Sequence, residues 1–401
     1  MSSLILKQAQ ELLLERVERI EETEEIALLD GVGRVLAKDV LAGHDQPPFP
    51  RSPLDGYAVR SEDIKQASRE CPVRLTVTEE TDAGHVSKGK VKEGTAVRIM
   101  TGAPIPEGAD CIVRQEDTDY GEETVEIYEA VKAFENYCFA GEDYKAGTRI
   151  MKRNLRLGPV EIGILASLGS EKVRVYRKPR VAVLTTGDEL VLPGRELEEG
   201  KIYDSNLYAA VTRLKALGAE VVRYGHTRDD TKETAEWLKE TVGKTDLIIT
   251  TGGVSVGKKD MMHQVLEYLG GERIFWKIAI KPGMPTLCGQ YKGTLLICLS
   301  GNPFGAAVNL ELLVRPVLSK LLGSRELDLK RIPAVSENGF PKGSRVSRYV
   351  RAYYEDGRVR IPKGSNASGV LSSMCGCNCL IEIPAGPEGL ERGETVWVIL
   401  I

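Results

Sequence analysis

Between Lys178 and Arg325, apolar runs alternate with amphipathic stretches, and this alternation constrains the fold more than any other feature of the chain. The runs RVAVLTTGDEL, AEVVRYGHTRDD, DLIITTGGVSVG and TLLICLSGNP each end in small or acidic residues. Residues 205–217, 231–242, 261–269 and 303–322 lie between and after them and carry helical spacing. Strands alternating with helices predict a mostly parallel sheet covered on both faces, an αβα three-layer domain. Parallel pairing sends the carboxyl ends of all its strands to one edge, where ligands of such sheets bind.

The flanking regions have other textures. Leu6, Ala9, Leu13, Val17 and Ile20 recur at spacings of three and four, which predicts an amphipathic helix. Short extended pieces follow around Gly31 and Gly33. GHDQPPFPRSPLDGYAV is rich in proline and without periodicity, and structureless stretches of that length are usually functional or disordered. Residues 71–131 alternate over short runs separated by glycine and charge, which predicts a small β-rich domain. RLGPVEIGILASLGS reads as a short helix, with Pro159 near its start and Gly169 past its end. Beyond Arg325 the helices stop. RVSRYVRAYYEDGRVRI predicts a hairpin turning at Asp356-Gly357, and short strands continue to ETVWVILI.

Composition excludes several function classes. At roughly 100–200 residues per domain, a 401-residue chain holds several domains. The net charge is −4, without the basic surplus of a nucleic-acid binder. A bound anion must therefore be met by backbone amides and a few lysines. No apolar stretch approaches the length of a membrane span, and the N-terminal apolar run breaks at Lys7, too early for a secretory signal. The eight cysteines form no C-x-x-C pair and there are only four histidines, so reduced thiols in a cytoplasm are expected.

Three strand ends could carry chemistry. Thr250-Thr251-Gly252-Gly253-Val254-Ser255-Val256-Gly257 follows an apolar strand and precedes a helix, and glycines let backbone amides approach a phosphate. Gly252-x4-Gly257-Lys258 matches a P-loop until Lys259, where magnesium binding needs Ser or Thr, so an ordinary P-loop is rejected. Thr185-Thr186-Gly187-Asp188-Glu189 ends the first strand similarly, and its carboxylates suit magnesium. Asp229-Asp230 and Asp260 add carboxylates at the same edge. Ser300-Gly301-Asn302-Pro303 offers further amides at a helix start. Lys277 and Lys281 in WKIAIKPGMPT would share one face if extended and could clamp an oxyanion. Cys375, Cys377 and Cys379 would share one strand face, a weak soft-metal signal beside the commoner reading of small buried thiols.

Taken together, SPLDGYAV, RIMTGAPIPEGADCIVRQED, GED, TTGDEL, YDSN, TTGGVSVGKKD, WKIAIKPGMP and LSGNP resemble the molybdopterin molybdenumtransferase family, which is MoeA-like and includes the gephyrin E domain. The resemblance covers essentially the whole chain. It implies an elongated discontinuous domain for dimerisation (1–42 and 144–178), an inserted β-rich domain (43–143), an α/β molybdopterin-binding domain (179–324) and a C-terminal β-barrel (325–401). It implies a homodimer whose cleft lies between the α/β domain of one subunit and the inserted domain of the other. The implied reaction takes adenylylated molybdopterin and molybdate, or tungstate, and gives molybdenum cofactor and AMP with Mg²⁺.

The resemblance also implies residue roles. Asp188, Glu189, Asp230 and Asp260 would position Mg²⁺. Thr186, Gly187, Ser205, Thr250, Gly252, Gly253, Ser255, Gly301, Asn302 and Pro303 would hold the phosphorylated ligand. Lys277 and Lys281 would bind molybdate or stabilise the leaving phosphate. Asp55 and Thr101 would reach in from the partner subunit, and Asp143 would line the same cleft. An upstream molybdopterin adenylyltransferase and cofactor-receiving enzymes are the implied partners, with no nucleic acid and no membrane. Met284 stands where many members carry lysine, and Ser300 where many carry proline. A nucleotide hydrolase or deamidase of the competence-damage-inducible type would lack SPLDGYAV and the inserted β domain. A non-catalytic scaffold would be expected to lose a carboxylate or lysine of the set.

Overall fold

The protein is described by a computed structural model covering residues 3–254 and 260–401. The chain divides into two compact units. One holds the residues up to Lys38, 154–163 and 171–401, and the other holds 39–153 and 164–170.

The first unit is built on a six-stranded sheet. Its order is Glu220–Thr227, Arg180–Thr186, Leu247–Thr251, Thr294–Leu299, Leu287–Tyr291 and Glu272–Trp276. The first four strands are parallel, as the four apolar runs predict. The other two add an antiparallel edge. Lys292 and Gly293, both at positive φ, make the tight turn between Leu287–Tyr291 and Thr294–Leu299. The central strands Leu247–Thr251 and Thr294–Leu299 are buried at every position, which is why they read as continuous apolar runs.

Alternate residues of each strand feed opposite faces. Val181, Val183, Ile249 and Ile297 join helices Ser205–Ala216 and Arg315–Leu322 in one core. Ala182, Ile248, Leu296 and Cys298 join helices Thr231–Thr241 and Met261–Tyr268 in the other. Residues 303–322 form one helical run with a π turn, Leu310–Val314, inside it. The N-terminal helix covers only Leu6–Glu15. Val17 and Ile20 are buried as the periodicity predicts, but from an irregular segment whose Ile20 amide donates to the Leu321 carbonyl.

The C-terminal region is a closed five-stranded barrel of Ser347–Glu355, Arg358–Arg360, Arg331–Ser336, Thr395–Leu400 and Cys379–Ile383. Asp356 and Gly357 form the predicted hairpin turn, both at positive φ. Ile280–Lys281 leaves the α/β region and pairs in parallel with Ser347 and Arg348 on the outside of this barrel. Lys277 has φ 70° and ends the Glu272–Trp276 strand, so Lys277 and Lys281 do not sit on one extended segment. The cysteine expectation also fails. Cys375 and Cys377 sit in a turn before the strand, Gly376 is at positive φ, and only Cys379 is in the strand and buried.

The second unit carries a five-stranded sheet in the order Cys111–Arg114, Gly56–Val59, Thr95–Ile99, Val73–Thr81 and Thr124–Ile127. Gly56 begins a buried strand there, and an added Cβ would lie 2.0 Å from the Val113 carbonyl oxygen. Gly56 is thus required by strand pairing and is more than a turn residue. Among the described residues, no helix is long and apolar enough to cross a membrane.

A buried ion cluster joins the π turn to its surroundings. Glu311 accepts from Arg213 Nε at 2.6 Å and from Arg315 Nη1 at 3.3 Å, and Arg315 also donates to the Leu327 and Leu400 carbonyls. Glu311→Ala would leave Arg315 buried without its anion, a loss of about 3–5 kcal/mol. A lower urea midpoint for the first unit, followed by Trp fluorescence, is the expected reading.

Candidate active site at the strand ends

The sheet reverses its winding between Arg180–Thr186 and Leu247–Thr251, because the chain passes outward to Glu220–Thr227 and then back across. This switch point is where an open α/β sheet has room for a ligand. Gly252 and Gly253 lie directly beside it, at φ 91° and 63°. An added Cβ at Gly252 would sit 2.2 Å from the Thr186 carbonyl oxygen. At Gly301 the nearest neighbour of such a Cβ would be the Gly252 Cα at 3.5 Å, so three strand ends meet here.

A cavity of about 70 Å³ opens among Thr186, Glu189, Ser205, Gly252, Gly301 and Pro303. The structure therefore brings together these six predicted residues from distant parts of the chain. Asp204 is buried behind them, accepting from the Thr185 hydroxyl and from the Leu207 amide to cap Ser205–Ala216. Asn206 donates to the Gly301 carbonyl at 2.8 Å. Neither was singled out from sequence, although both fall in the YDSN segment. The Thr186 hydroxyl is buried without a hydrogen-bond partner among the described residues, as suits a group awaiting a ligand. Thr250 is placed differently. It is fully buried beside Cys298, one residue short of the loop, and does not line this cavity. Ser255 lies outside the described residues.

The carboxylates separate into two environments. The Asp229 amide donates to Asp188 at 3.3 Å. Desolvation, followed by the charges of Asp188 and Glu189, raises the Asp229 carboxyl above its ordinary value. These three carboxylates thus repel one another, and a cation among them would relieve that repulsion. Asp230, the predicted ligand, instead accepts from the Glu233 amide at 2.8 Å and caps Thr231–Thr241. That bond holds its carboxyl below the ordinary range. An aspartate pair preceding a helix leaves open which member caps, and only the backbone geometry assigns the cap to Asp230. Asp260 is buried at the start of Met261–Tyr268, with one oxygen 4.0 Å from His263 Nε2. Among the described residues, no three carboxylate, histidine or cysteine side chains are already arranged as a metal site.

The two lysines also part. The Lys277 ammonium lies 3.8 Å from the centre of the Trp276 ring, a cation–π contact. Lys281 lines a separate cavity of about 890 Å³ between the end of the α/β region and the barrel. Register pairs Lys281 with Arg348, which lines the same cavity. Lys342 and Lys363 add two more cations, and Ser300, Met284 and Asn302 also line it. No carboxylate lines this cavity among the described residues, so it suits an oxyanion.

In the second unit, the Thr101 amide and hydroxyl both donate to one Asp55 oxygen at 2.7 Å. The hydroxyl bond, then the amide bond, holds the Asp55 carboxyl below the usual aspartate range. Asp143 is exposed, and its amide donates to the Gln46 carbonyl at 2.9 Å.

Comparison with known proteins agrees across the whole length. Residues 4–169 match the family described as MoeA N-terminal region (domain I and II), 182–320 match the probable molybdopterin binding domain, and 333–401 match the MoeA C-terminal region (domain IV). The chain is 38% identical over 378 residues to a Staphylococcus epidermidis protein named molybdopterin molybdenumtransferase, covering 94% of this chain and 90% of that one. A Bacillus subtilis protein of the same name is 38% identical over 387 residues, covering 95% and 90%. The crystal structure of the molybdopterin biosynthesis moeA protein of Pyrococcus horikoshii OT3 superposes with a TM-score of 0.84 at 32% identity, covering all of both chains.

Gly252→Ala forces a Cβ against the Thr186 carbonyl at a positive φ, and a loss of about 1–3 kcal/mol is expected. Gly301→Ala meets only ordinary contacts and should leave the denaturation midpoint nearly unchanged. For Asp55, an NMR titration should place the carboxyl below 3.8, and Thr101→Val should move it back upward. By proton linkage, the Asp55 contribution to stability is complete above the unfolded value and fades as pH falls through the lower folded value.

Proposed function

The chain belongs to the MoeA family of molybdopterin molybdenumtransferases, and from that premise we propose that it takes molybdate and adenylylated molybdopterin to molybdenum cofactor and AMP in a Mg²⁺-dependent reaction. It is an enzyme of molybdenum cofactor biosynthesis. The observation that carries the finer reading is the pair of unlike sites in the first unit. One is a backbone cradle with an acidic cluster at the strand ends, and the other is a cavity walled by Lys281, Lys342, Arg348 and Lys363.

The cradle suits a phosphorylated ligand. Backbone at Gly252 and Gly301 can approach it closely, and the Thr186 hydroxyl supplies a donor. Asp188, Glu189 and Asp229 are the residues that would hold a magnesium ion, because they gather at the strand ends and a cation there would offset the charges of Asp188 and Glu189, which after desolvation raise the Asp229 carboxyl. Bound there, the ion would neutralise charge on the phosphoanhydride being broken. The Asp230 carboxylate keeps the adjoining helix start in place through its cap. Lys281 and Arg348, adjacent by strand register, suit the two negative charges of a tetrahedral oxyanion. Molybdate and tungstate share that charge and shape, so both are candidate substrates.

We read the working form as a cytoplasmic homodimer in which Asp55, Thr101 and Asp143 act across the subunit boundary, as the family resemblance implies. A molybdopterin adenylyltransferase would supply the substrate and cofactor-receiving enzymes would take the product. The nucleotide hydrolase alternative is disfavoured, because the family match includes the region holding SPLDGYAV.

Purified protein with Mg²⁺, molybdate and adenylylated molybdopterin should release AMP, and Asp260→Ala should slow that release by about a hundredfold or more. Lys281→Ala should raise the half-saturating molybdate by about tenfold, the loss of one charge-assisted contact. Release at the no-enzyme rate from the wild type would end the transferase reading. Tungstate competing for the same AMP release would identify one shared oxyanion site.

A further inference from the structure

Asn309 is completely buried, at 0% exposure, yet no step proposed above uses it. It is the last residue of the helix Pro303–Asn309, directly before the π turn Leu310–Val314. Such turns are uncommon and recur at functional sites. This one separates two polar groups. Glu311 faces Arg213 and Arg315, whereas the Asn309 amide faces the turn after Lys281. Its Nδ2 donates to the Gly283 carbonyl at 2.9 Å and to the Thr286 hydroxyl at 2.6 Å. The Thr286 hydroxyl in turn donates to the same Gly283 carbonyl at 2.8 Å. Both N–H bonds of one amide nitrogen are thus used on a single turn.

Helix and turn approach each other closely. Gly283 has φ 94°, and an added Cβ there would lie 2.3 Å from Asn309 Oδ1. Four residues before Asn309, an added Cβ at Gly305 would lie 3.4 Å from the Gly283 nitrogen. Asn309 Oδ1 is buried without a hydrogen-bond partner among the described residues, a cost that the two bonds made by Nδ2 offset. The turn is also tied to both lysines. The Lys277 amide donates to the Thr286 carbonyl at 2.9 Å and the Ile278 amide to the Met284 carbonyl at 3.1 Å, which closes the segment from Lys277 to Thr286 at its neck. Lys281 lies inside that closed segment and lines the basic cavity together with Gly283.

We propose that Asn309 is a positioning residue for Lys281: by holding Gly283 and Thr286 it fixes the closed segment, and so fixes where the Lys281 ammonium stands when an oxyanion binds. This rests on the reading of the basic cavity as the oxyanion site. Neither Asn309 nor Thr286 lines that cavity, so the effect passes through the backbone of the turn. An apolar side chain of similar size would fill the space but has no donor with which to hold the turn.

The test uses the full-length protein, with molybdate as the probe. Asn309→Leu keeps the volume and removes both bonds. Half-saturating molybdate for AMP release should rise by about tenfold, while the rate at saturating molybdate stays within about threefold. Hydrogen exchange of the peptide holding residues 277–286, read by mass spectrometry, should accelerate by about tenfold or more. Thr286→Val should move both readouts in the same direction, and Thr286→Ser, which keeps the hydroxyl, should stay near the wild type. That pair carries the test should Asn309→Leu fail to fold. The decisive measurement combines Asn309→Leu with Lys281→Ala. A residue that acts through Lys281 has little left to do once the ammonium is gone, so the double variant should bind molybdate at most about threefold more weakly than Lys281→Ala. A further tenfold loss, which is about the additive result, would overturn the proposal. Unchanged half-saturation in folded Asn309→Leu would also overturn it. In both cases the cavity reading survives if Lys281→Ala by itself weakens molybdate binding. If Lys281→Ala leaves half-saturation unchanged, the cavity reading falls and this proposal with it.

Discussion

Two residues that leave the α/β region, Ile280 and Lys281, hydrogen-bond in parallel with Ser347 and Arg348 of the barrel. Much of the first unit follows from this short pairing. It anchors an otherwise closed barrel to the α/β region through main-chain bonds. It also puts Lys281 in register with Arg348, 67 positions later in the chain, and both line the basic cavity. Parallel pairing of so few residues is weak by itself. It is supported by the Glu311 cluster, where Arg315 donates to Leu400 of the last barrel strand, and by Arg351 packed on Phe304.

The strand-end site depends on a different constraint, the close approach of backbones. Parallel strands deliver Thr186, Thr251 and Leu299 to one edge, and the turns after them must then pass within contact distance. Gly252 is the point where this is tightest, since any side chain would meet the Thr186 carbonyl. The acidic cluster is arranged from the same edge. Asp230 caps a helix through one carboxylate oxygen, and the neighbouring Asp229 amide donates to Asp188.

Much of the architecture was legible from pattern alone. The four parallel strands, the helices between them and the Asp356-Gly357 hairpin follow from burial on both faces, helical spacing and turn chemistry. The misreadings have local physical causes. Val17 and Ile20 keep a helical spacing although the helix ends at Glu15, because an irregular segment hydrogen-bonded to Leu321 buries the same residues. Lys277 and Lys281 fit a strand spacing, but a positive φ at Lys277 breaks the strand. Cys375 and Cys377 look like alternating strand residues but lie in a turn. In each case a spacing rule was satisfied by a backbone of another kind.

The sequence by itself determined the fold class, the family and the set of groups available for chemistry. Those properties reside in residue type, order and periodicity, which short-range physics reads directly. Only the tertiary structure decided how the set is divided. It joined Thr186, Ser205, Gly252 and Gly301 at one cavity, ended the strand before Lys277 so that Lys277 and Lys281 share no extended segment, buried Thr250 and placed Asp230 at a helix cap. It also buried Arg351 among the Ser365, Ala367 and Val370 carbonyls. These outcomes depend on contacts between residues far apart in the chain, and such contacts leave no period or spacing in a single sequence.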